Sequence, residues 1–339
     1  MKVTFRILAL VLFVLVLTSA GKHRTTIFVI GDSTAAEKSK PEQNPERGWG
    51  MVLQGFFDES IRVDNRAVNG RSSKSFIDEG RWQKVLDDLQ LGDYVFIQFG
   101  HNDEKPKPDR HTDPGSTFDD NLRRFVNETR AKGGIPVLFN CVVRRNFLDT
   151  ARIQKHVDIA GADDDEKLRA TSYDGEEMVN SDTLIDTHGA YRFSPMHVAK
   201  ELNVPFVNAN QITHDIEQGL GVVGSRKLHM WFRPGENAFI KKGRKDNTHY
   251  NVYGARVVAS ALVDEVGCQV PALKKHIRHF DYVVSKEGRG NFLTLQSAVD
   301  AVPDGSKARI LVIDGTWKKP VVPKDKKIKL VKYSNVIIK

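Results

Sequence analysis

Thr25–Glu37, TTIFVIGDSTAAE, sets a run of β-branched and aromatic residues directly against Gly31-Asp32-Ser33. The run IFVI, residues 27–30, is short and β-rich and reads as a buried strand rather than a helix. A serine at the carboxyl end of such a strand is well placed for a nucleophile. Gly, Asp and Ser are equally the ordinary turn-formers, so this stretch alone leaves both readings open. The choice depends on whether oxyanion donors and a general base stand at workable places elsewhere.

Further runs of the same kind follow: Ile61–Asn65 (IRVDN), Tyr94–Phe99 (YVFIQF), Ile135–Asn140 (IPVLFN) and Val204–Asn208 (VPFVN). Helical patterns alternate with them. In Thr117–Lys132, Phe118, Leu122, Phe125 and Val126 recur at helical spacing, Asp119 and Asp120 fill the first turn, and Gly133-Gly134 ends it. Alternating β and α elements predict an α/β fold, a doubly wound parallel sheet in three layers. Such sheets bind ligands beyond the carboxyl ends of their strands. Ser33, the NGR around Gly70 and the GHND around His101 each follow a strand run.

With 339 residues, 40% hydrophobic and 28% charged, the chain has globular composition and exceeds one ordinary domain. A net charge of +8 favours anionic partners. Nucleic acid is not expected, since zinc-finger spacing, RNP-type motifs and basic heptad helices are missing; an acidic polysaccharide fits the same charge. Residues 1–20 read as a signal peptide. Lys2 and Arg6 form a basic n-region, Ile7–Leu17 an apolar core too short for a bilayer span, and Thr18-Ser19-Ala20 a cleavage site. The mature protein is therefore expected to be exported, periplasmic or extracellular, with no stable membrane span after cleavage. Cys141 ends the IPVLFN strand, and Cys268 follows a helix placed at about 252–266. That helix separates them well beyond disulfide reach, so two free thiols are expected.

Four blocks in order resemble the SGNH hydrolases, or GDSL esterases. They are Gly31-Asp32-Ser33, Asn65–Ser72 with Gly70, Gly100-His101-Asn102-Asp103, and Asp246-Asn247-Thr248-His249. The resemblance covers about 25–266 and implies the flavodoxin-like version of the doubly wound sheet. Within that family, GHNDEKPKPDRHTDPGSTF, LIDTHGAY, ELNVPF and DNTHYNVYGA resemble rhamnogalacturonan acetylesterases. The polar stretch 149–182, with Asp163-Asp164-Asp165-Glu166, is longer than that resemblance leads one to expect. It reads as an insertion, a lid or a solvated surface excursion.

The chemistry has its own logic. A serine hydroxyl needs a base to take its proton. An unperturbed imidazole is the side chain suited to that task at neutral pH, so His249 is the candidate base. Asp246, three residues earlier, can turn back to accept from the other ring nitrogen and fix the tautomer. The backbone N–H of Ser33, the backbone N–H of Gly70 and the side-chain amide of Asn102 are the expected oxyanion donors. Ser33 is thus expected to form an acetyl-enzyme that water releases. No cofactor or metal is expected: His101, His111 and His188 lack HExxH spacing, and no P-loop follows the first strand. Asp103 and Glu104 read as a solvated acidic loop rather than a glycosidic carboxylate pair.

Arg71, Lys74, Arg144, Arg145, Arg233 and the run Lys241–Lys245 are basic near the expected site. Arg71, Arg233 and Lys245 are the candidates for contacting acidic sugar. Trp82, Trp231 and Phe232 are candidates for stacking on sugar faces, with core packing the competing reading of each.

The sequence divides into a signal peptide (1–20), an esterase domain (21–267), a linker (268–279) and a second unit (280–339). The last resembles the opening of pectin methylesterases, through Val283-Val284, Gly290-Asn291-Phe292, Leu295-Gln296, Val302-Pro303 and Gly315-Thr316-Trp317. That resemblance implies a fragment of a right-handed parallel β-helix, without the family's catalytic residues and so without expected demethylating activity. The reading as a whole is a secreted serine esterase that removes O-acetyl groups from pectic polysaccharide or oligosaccharide, rhamnogalacturonan before others. Competing readings are an acetyl-xylan or small acyl-ester esterase, and a catalytically silent carbohydrate-binding protein.

Overall fold

The computed structural model describes residues 24–149, 177 and 179–339. The expected signal peptide, and residues 150–176 and 178 of the expected insertion, lie outside the described residues. Five strands, β1 (Thr26–Gly31), β2 (Arg62–Asn65), β3 (Tyr94–Gln98), β4 (Ile135–Phe139) and β5 (Phe206–Val207), form one parallel sheet in the order β2-β1-β3-β4-β5. These are the five runs named above, the first extended by one residue at each end and the other four trimmed. The chain leaves β1 to one side for β2 and returns to the other for β3, so the topological switch point lies at the carboxyl end of β1.

The pleat divides the core into two layers. Ile27 and Val29 face one of them and Phe28 and Ile30 the other. On the Phe28 side pack α1 (Ser73–Asp78), α2 (Arg81–Asp88), α3 (Thr117–Ala131) and α4 (Ser194–Leu202). On the Ile27 side pack α5 (Ala209–Gly224), α6 (Val252–Gln269) and the segment 49–57. Phe118, Leu122, Phe125 and Val126 of α3 are all buried, as their spacing predicts.

The end of α6 departs from expectation. The helix runs through Cys268 to Gln269, so Cys268 lies within it. Both cysteines are free, Cys141 buried and Cys268 exposed. Nor are residues 268–279 an open connection. A short helix, α7 (Pro271–Lys274), puts Leu273 into the main core, and the chain beyond it bonds to 56–58 through Asp58 N–H to the His276 carbonyl (2.9 Å) and Arg278 N–H to the Phe56 carbonyl (2.8 Å). The sequence hid this because Val270, Leu273 and Ile277 are too few to form a periodic face.

The C-terminal residues have a core of their own around Val283, Val299, Ile310, Val312 and Val336. Its strands β6 (Tyr282–Val284), β7 (Lys307–Val312) and β9 (Lys327–Lys332) pair parallel, as do β8 (Thr316–Trp317) and β10 (Ile337–Ile338), with α8 (Leu295–Asp300) against them. This unit is bound closely to the first. The Tyr333 hydroxyl lies 2.7 Å from the Phe57 carbonyl, Ser334 N–H donates to Glu59 at 2.6 Å, and Arg47 Nε donates to the Gly288 carbonyl at 2.9 Å. A polar cleft of about 610 Å³ lies between the units, lined by Glu37, Asp64, Arg289 and Tyr333 among others; Ser33, Asp246 and His249 are not part of it. No helix among the described residues is long and apolar enough to cross a membrane.

Candidate active site

Ser33 sits two residues beyond β1, where the backbone turns through Ala35 and Ala36 N–H bonds to the Asp32 carbonyl. Glycine precedes it for a steric reason: a Cβ on Gly31 would lie 2.5 Å from the Gln98 carbonyl oxygen. The loop after β2 carries Gly70 at φ +73°, left-handed backbone that favours glycine. Asn102 follows β3. Three loops from three adjacent strands thus meet at the switch point.

The fourth block arrives from the other end of the chain, just before α6. Its Asn251 side chain caps that helix through Gly254 N–H. His249 is held between two neighbours, its carbonyl accepting from Met230 N–H at 3.0 Å while the Tyr250 carbonyl accepts from Arg47 N–H. The His249 Nε2 is 2.9 Å from Ser33 Oγ, and Nδ1 is 2.9 Å from Asp246 Oδ2. The carboxylate requires the proton on Nδ1, which leaves Nε2 to accept from the serine hydroxyl. Asp246 Oδ1 accepts the backbone N–H groups of Thr248 (2.8 Å) and His249 (2.9 Å). Burial would raise the Asp246 carboxyl, but the His249 and Arg244 charges and these bonds hold it well below the usual carboxylate range.

Asn102 is fully buried, with Nδ2 donating to the Arg71 carbonyl at 3.2 Å, which leaves its second amide proton for another acceptor. Beside it Asp103 corrects the reading of a solvated acidic loop. Its carboxyl is completely buried and accepts from Ser73 N–H, Ser73 Oγ, Thr112 Oγ1 and Gly100 N–H, tying the Asn102 loop to the start of α1. Burial, helped by the Asp32 charge, pushes it up to about 7 against the Ser73 and Thr112 donors. Glu104 is also mostly buried, paired with Arg144 and with His188 Nδ1 at 2.9 Å. These side chains lie inside because the GHND loop folds back onto α1, a long-range contact that local polarity does not report.

The basic residues divide. Arg144 and Arg145 are buried and paired with Glu104 and Glu177, so they do not present charge to a ligand. Arg71 is partly exposed, its guanidinium engaged by Glu79 at 3.0 Å and the Asn69 carbonyl at 3.0 Å. Arg233 is exposed and Lys245 half-buried, on the loop 231–245 that leads into Asp246. Arg244, within the basic run, turns inward to Glu46 and Asp246. Trp82 belongs to the core; Trp231 is half-buried and donates to Asn247 Oδ1 at 2.8 Å. Among the described residues no group of three or more His, Cys, Asp or Glu side chains is arranged to hold a metal ion.

The profile of the GDSL-like lipase/acylhydrolase family matches residues 27–262. The chain belongs to that family. It is a carboxylic ester hydrolase. It is 33% identical over 271 residues to the rhamnogalacturonan acetylesterase RhgT of Bacillus subtilis, covering 79% of this chain and 98% of that one. It is 28% identical over 261 residues to a rhamnogalacturonan acetylesterase of Emericella nidulans, with 76% and 91% covered. Among solved structures, the Bacillus subtilis protein YxiM superposes with a TM-score of 0.54 at 23% identity, over 74% of this chain and 58% of that one. This last likeness concerns the fold.

Proposed function

We propose that this GDSL hydrolase is an exported serine esterase that removes O-acetyl groups from pectic polysaccharide, rhamnogalacturonan before others. The observation that carries the mechanism is the pair of 2.9 Å contacts joining Ser33 Oγ, the His249 ring and Asp246. Ser33 Oγ attacks the acetyl carbonyl carbon as His249 Nε2 takes its proton, and Asp246 stabilises the imidazolium. The Ser33 and Gly70 N–H groups and the Asn102 amide stabilise the oxyanion. The sugar oxygen leaves with the proton from His249, and water, activated by the same imidazole, releases acetate from Ser33.

The substrate class is supported by the rhamnogalacturonan acetylesterase relatives and by the net charge of +8. Arg233 and Lys245 are the cations of the 231–245 loop that this reading assigns to an acidic sugar. The same reading takes residues 1–20 as an export signal, and 280–339 as the opening of a pectin methylesterase-like parallel β-helix. Support for the latter is the parallel register of β6, β7 and β9.

The test is acetate release from acetylated rhamnogalacturonan and acetylated xylan, by the native chain and by Ser33→Ala. Release from the pectic polymer, lost on substitution, is the expected result. Release from xylan alone would overturn the substrate assignment and leave the mechanism standing.

A further inference from the structure

We infer that Lys38, Glu46 and Arg244 are positioning residues for the esterase reaction, one buried chain of alternating charge joining the two ends of the Ser33–His249–Asp246 array. The inference rests on the catalytic reading of those three residues. Arg244 contacts Asp246 Oδ2 and also reaches Glu46 Oε2 at 2.9 Å. Glu46 Oε1 is 2.8 Å from Lys38 Nζ. Lys38 Nζ donates to the Ser33 carbonyl at 2.7 Å and to Asn69 Oδ1 at 2.7 Å, the residue next to Gly70. All three side chains are buried.

Two consequences follow from the chemistry. The first is geometric. A lysine ammonium offers three donors in a tetrahedral spread. At Lys38 they span Ser33, Asn69 and Glu46, which sets the separation between the nucleophile turn and the loop that presents the Gly70 N–H. The second is electrostatic. During acyl transfer the His249 ring becomes a cation. Arg244 orients Asp246 but opposes that cation, and Glu46 offsets Arg244. Burial alone would raise the Glu46 carboxyl, yet Lys38, His249 and Arg244 hold it well below the usual carboxylate range. Glu46 is therefore an anion whenever the enzyme works. A row of buried ions is a poor way to add stability, since apolar residues of similar volume often serve as well. Its value lies in fixed charges beside the reacting ring.

Charged and titratable groups that bear on that ring include Asp246 and Arg244 on its own loop, Glu46 after β1, which is linked in turn to Lys38, and His101 after β3. Burial and the neighbouring cations keep His101 neutral. Removing one charge of the chain should thus move the acid limb of the pH–rate profile in a direction set by its sign.

The experiment measures kcat and KM for p-nitrophenyl acetate against pH on the full chain, with melting temperatures, for Glu46→Gln, Arg244→Gln, Arg244→Lys and Ser33→Ala. Glu46→Gln should lower kcat by up to about 10²-fold, leave KM within about twofold, and move the acid limb to lower pH. Arg244→Gln should move it to higher pH. Arg244→Lys keeps the charge but not the fork, so its kcat should fall while its acid limb stays in place. Limbs that stay put in both glutamine variants, or move the same way, would overturn the inference even if activity falls with melting temperature. Should Glu46→Gln fail to fold, the two Arg244 variants decide: a common limb position in both would overturn it. Full activity in Ser33→Ala would instead refute the catalytic reading, and this inference with it.

Discussion

Asp246→Asn is a substitution whose cost the geometry specifies closely. In the native chain Oδ1 accepts two backbone N–H groups, from Thr248 and His249, and Oδ2 accepts the imidazole Nδ1–H at 2.9 Å. An asparagine keeps its oxygen on the two backbone donors, which turns its NH2 toward the ring and the Arg244 guanidinium. Donor then faces donor. The ring relieves this by carrying its proton on Nε2, the atom 2.9 Å from Ser33 Oγ. A protonated Nε2 cannot accept the serine proton, so the proposed nucleophile is no longer activated. The cost of that wrong tautomer is about 10⁴ in kcat, or about 5 kcal/mol of activation free energy. Hydrolysis of p-nitrophenyl acetate near neutral pH measures it, with circular dichroism melting to establish that the variant is folded. The proposed oxyanion donors and substrate contacts remain, so KM should change little. A folded variant losing less than about tenfold would refute the orientation assigned to the His249 ring.

Asn102→Ala removes one of the proposed oxyanion donors and should lower kcat by about 10²–10³ with KM nearly constant; steady-state kinetics on an acetyl ester check this. Asp103 links the same loop to stability. Its folded value of about 7 lies above the 3.8 of an ordinary carboxyl, so its contribution is full below 3.8 and is lost as pH rises through about 7. Urea unfolding of the native chain and Asp103→Asn should therefore show the native chain losing ground to the variant from pH 4 to 8, by up to about 4 kcal/mol; a pH-independent difference would contradict the burial argument. Tyr333→Phe removes the hydroxyl that meets the Phe57 carbonyl at 2.7 Å and should cost about 1 kcal/mol in urea unfolding, with kcat unchanged. A chain ending at residue 279 would uncover Gly55 and Phe57, where Val283 and Tyr333 now pack. Its melting temperature should fall even where the folded fraction keeps its esterase activity.

Much of this was legible in the sequence because the informative signals are local. The strand runs are short and apolar, and the four blocks each lie within a few residues of a strand end or a helix start. What the sequence did not disclose are contacts made across the fold by residues with no local pattern. Arg244 looks like one more charge in a basic run, yet it turns inward to Glu46, almost two hundred positions away. Arg144 and Arg145 read only as basic residues near the site because their partners, Glu104 and Glu177, are brought to them only by folding. Asp103 and Glu104 read as solvated for the same reason. The supposed linker misled in the opposite sense, since three apolar residues without periodicity suffice to fasten 268–279 to the core.

The central claim is that Ser33 is the nucleophile and is activated by His249. It is tested most directly by incubating the full chain with a fluorophosphonate ester and locating the adduct by peptide mass spectrometry. One adduct per chain, on Ser33, with labelling slowed at least a hundredfold in a folded His249→Ala variant (~10² being the low end for loss of a general base), is the result expected. A folded native chain that takes up no label, or takes it up elsewhere than Ser33, would contradict the account.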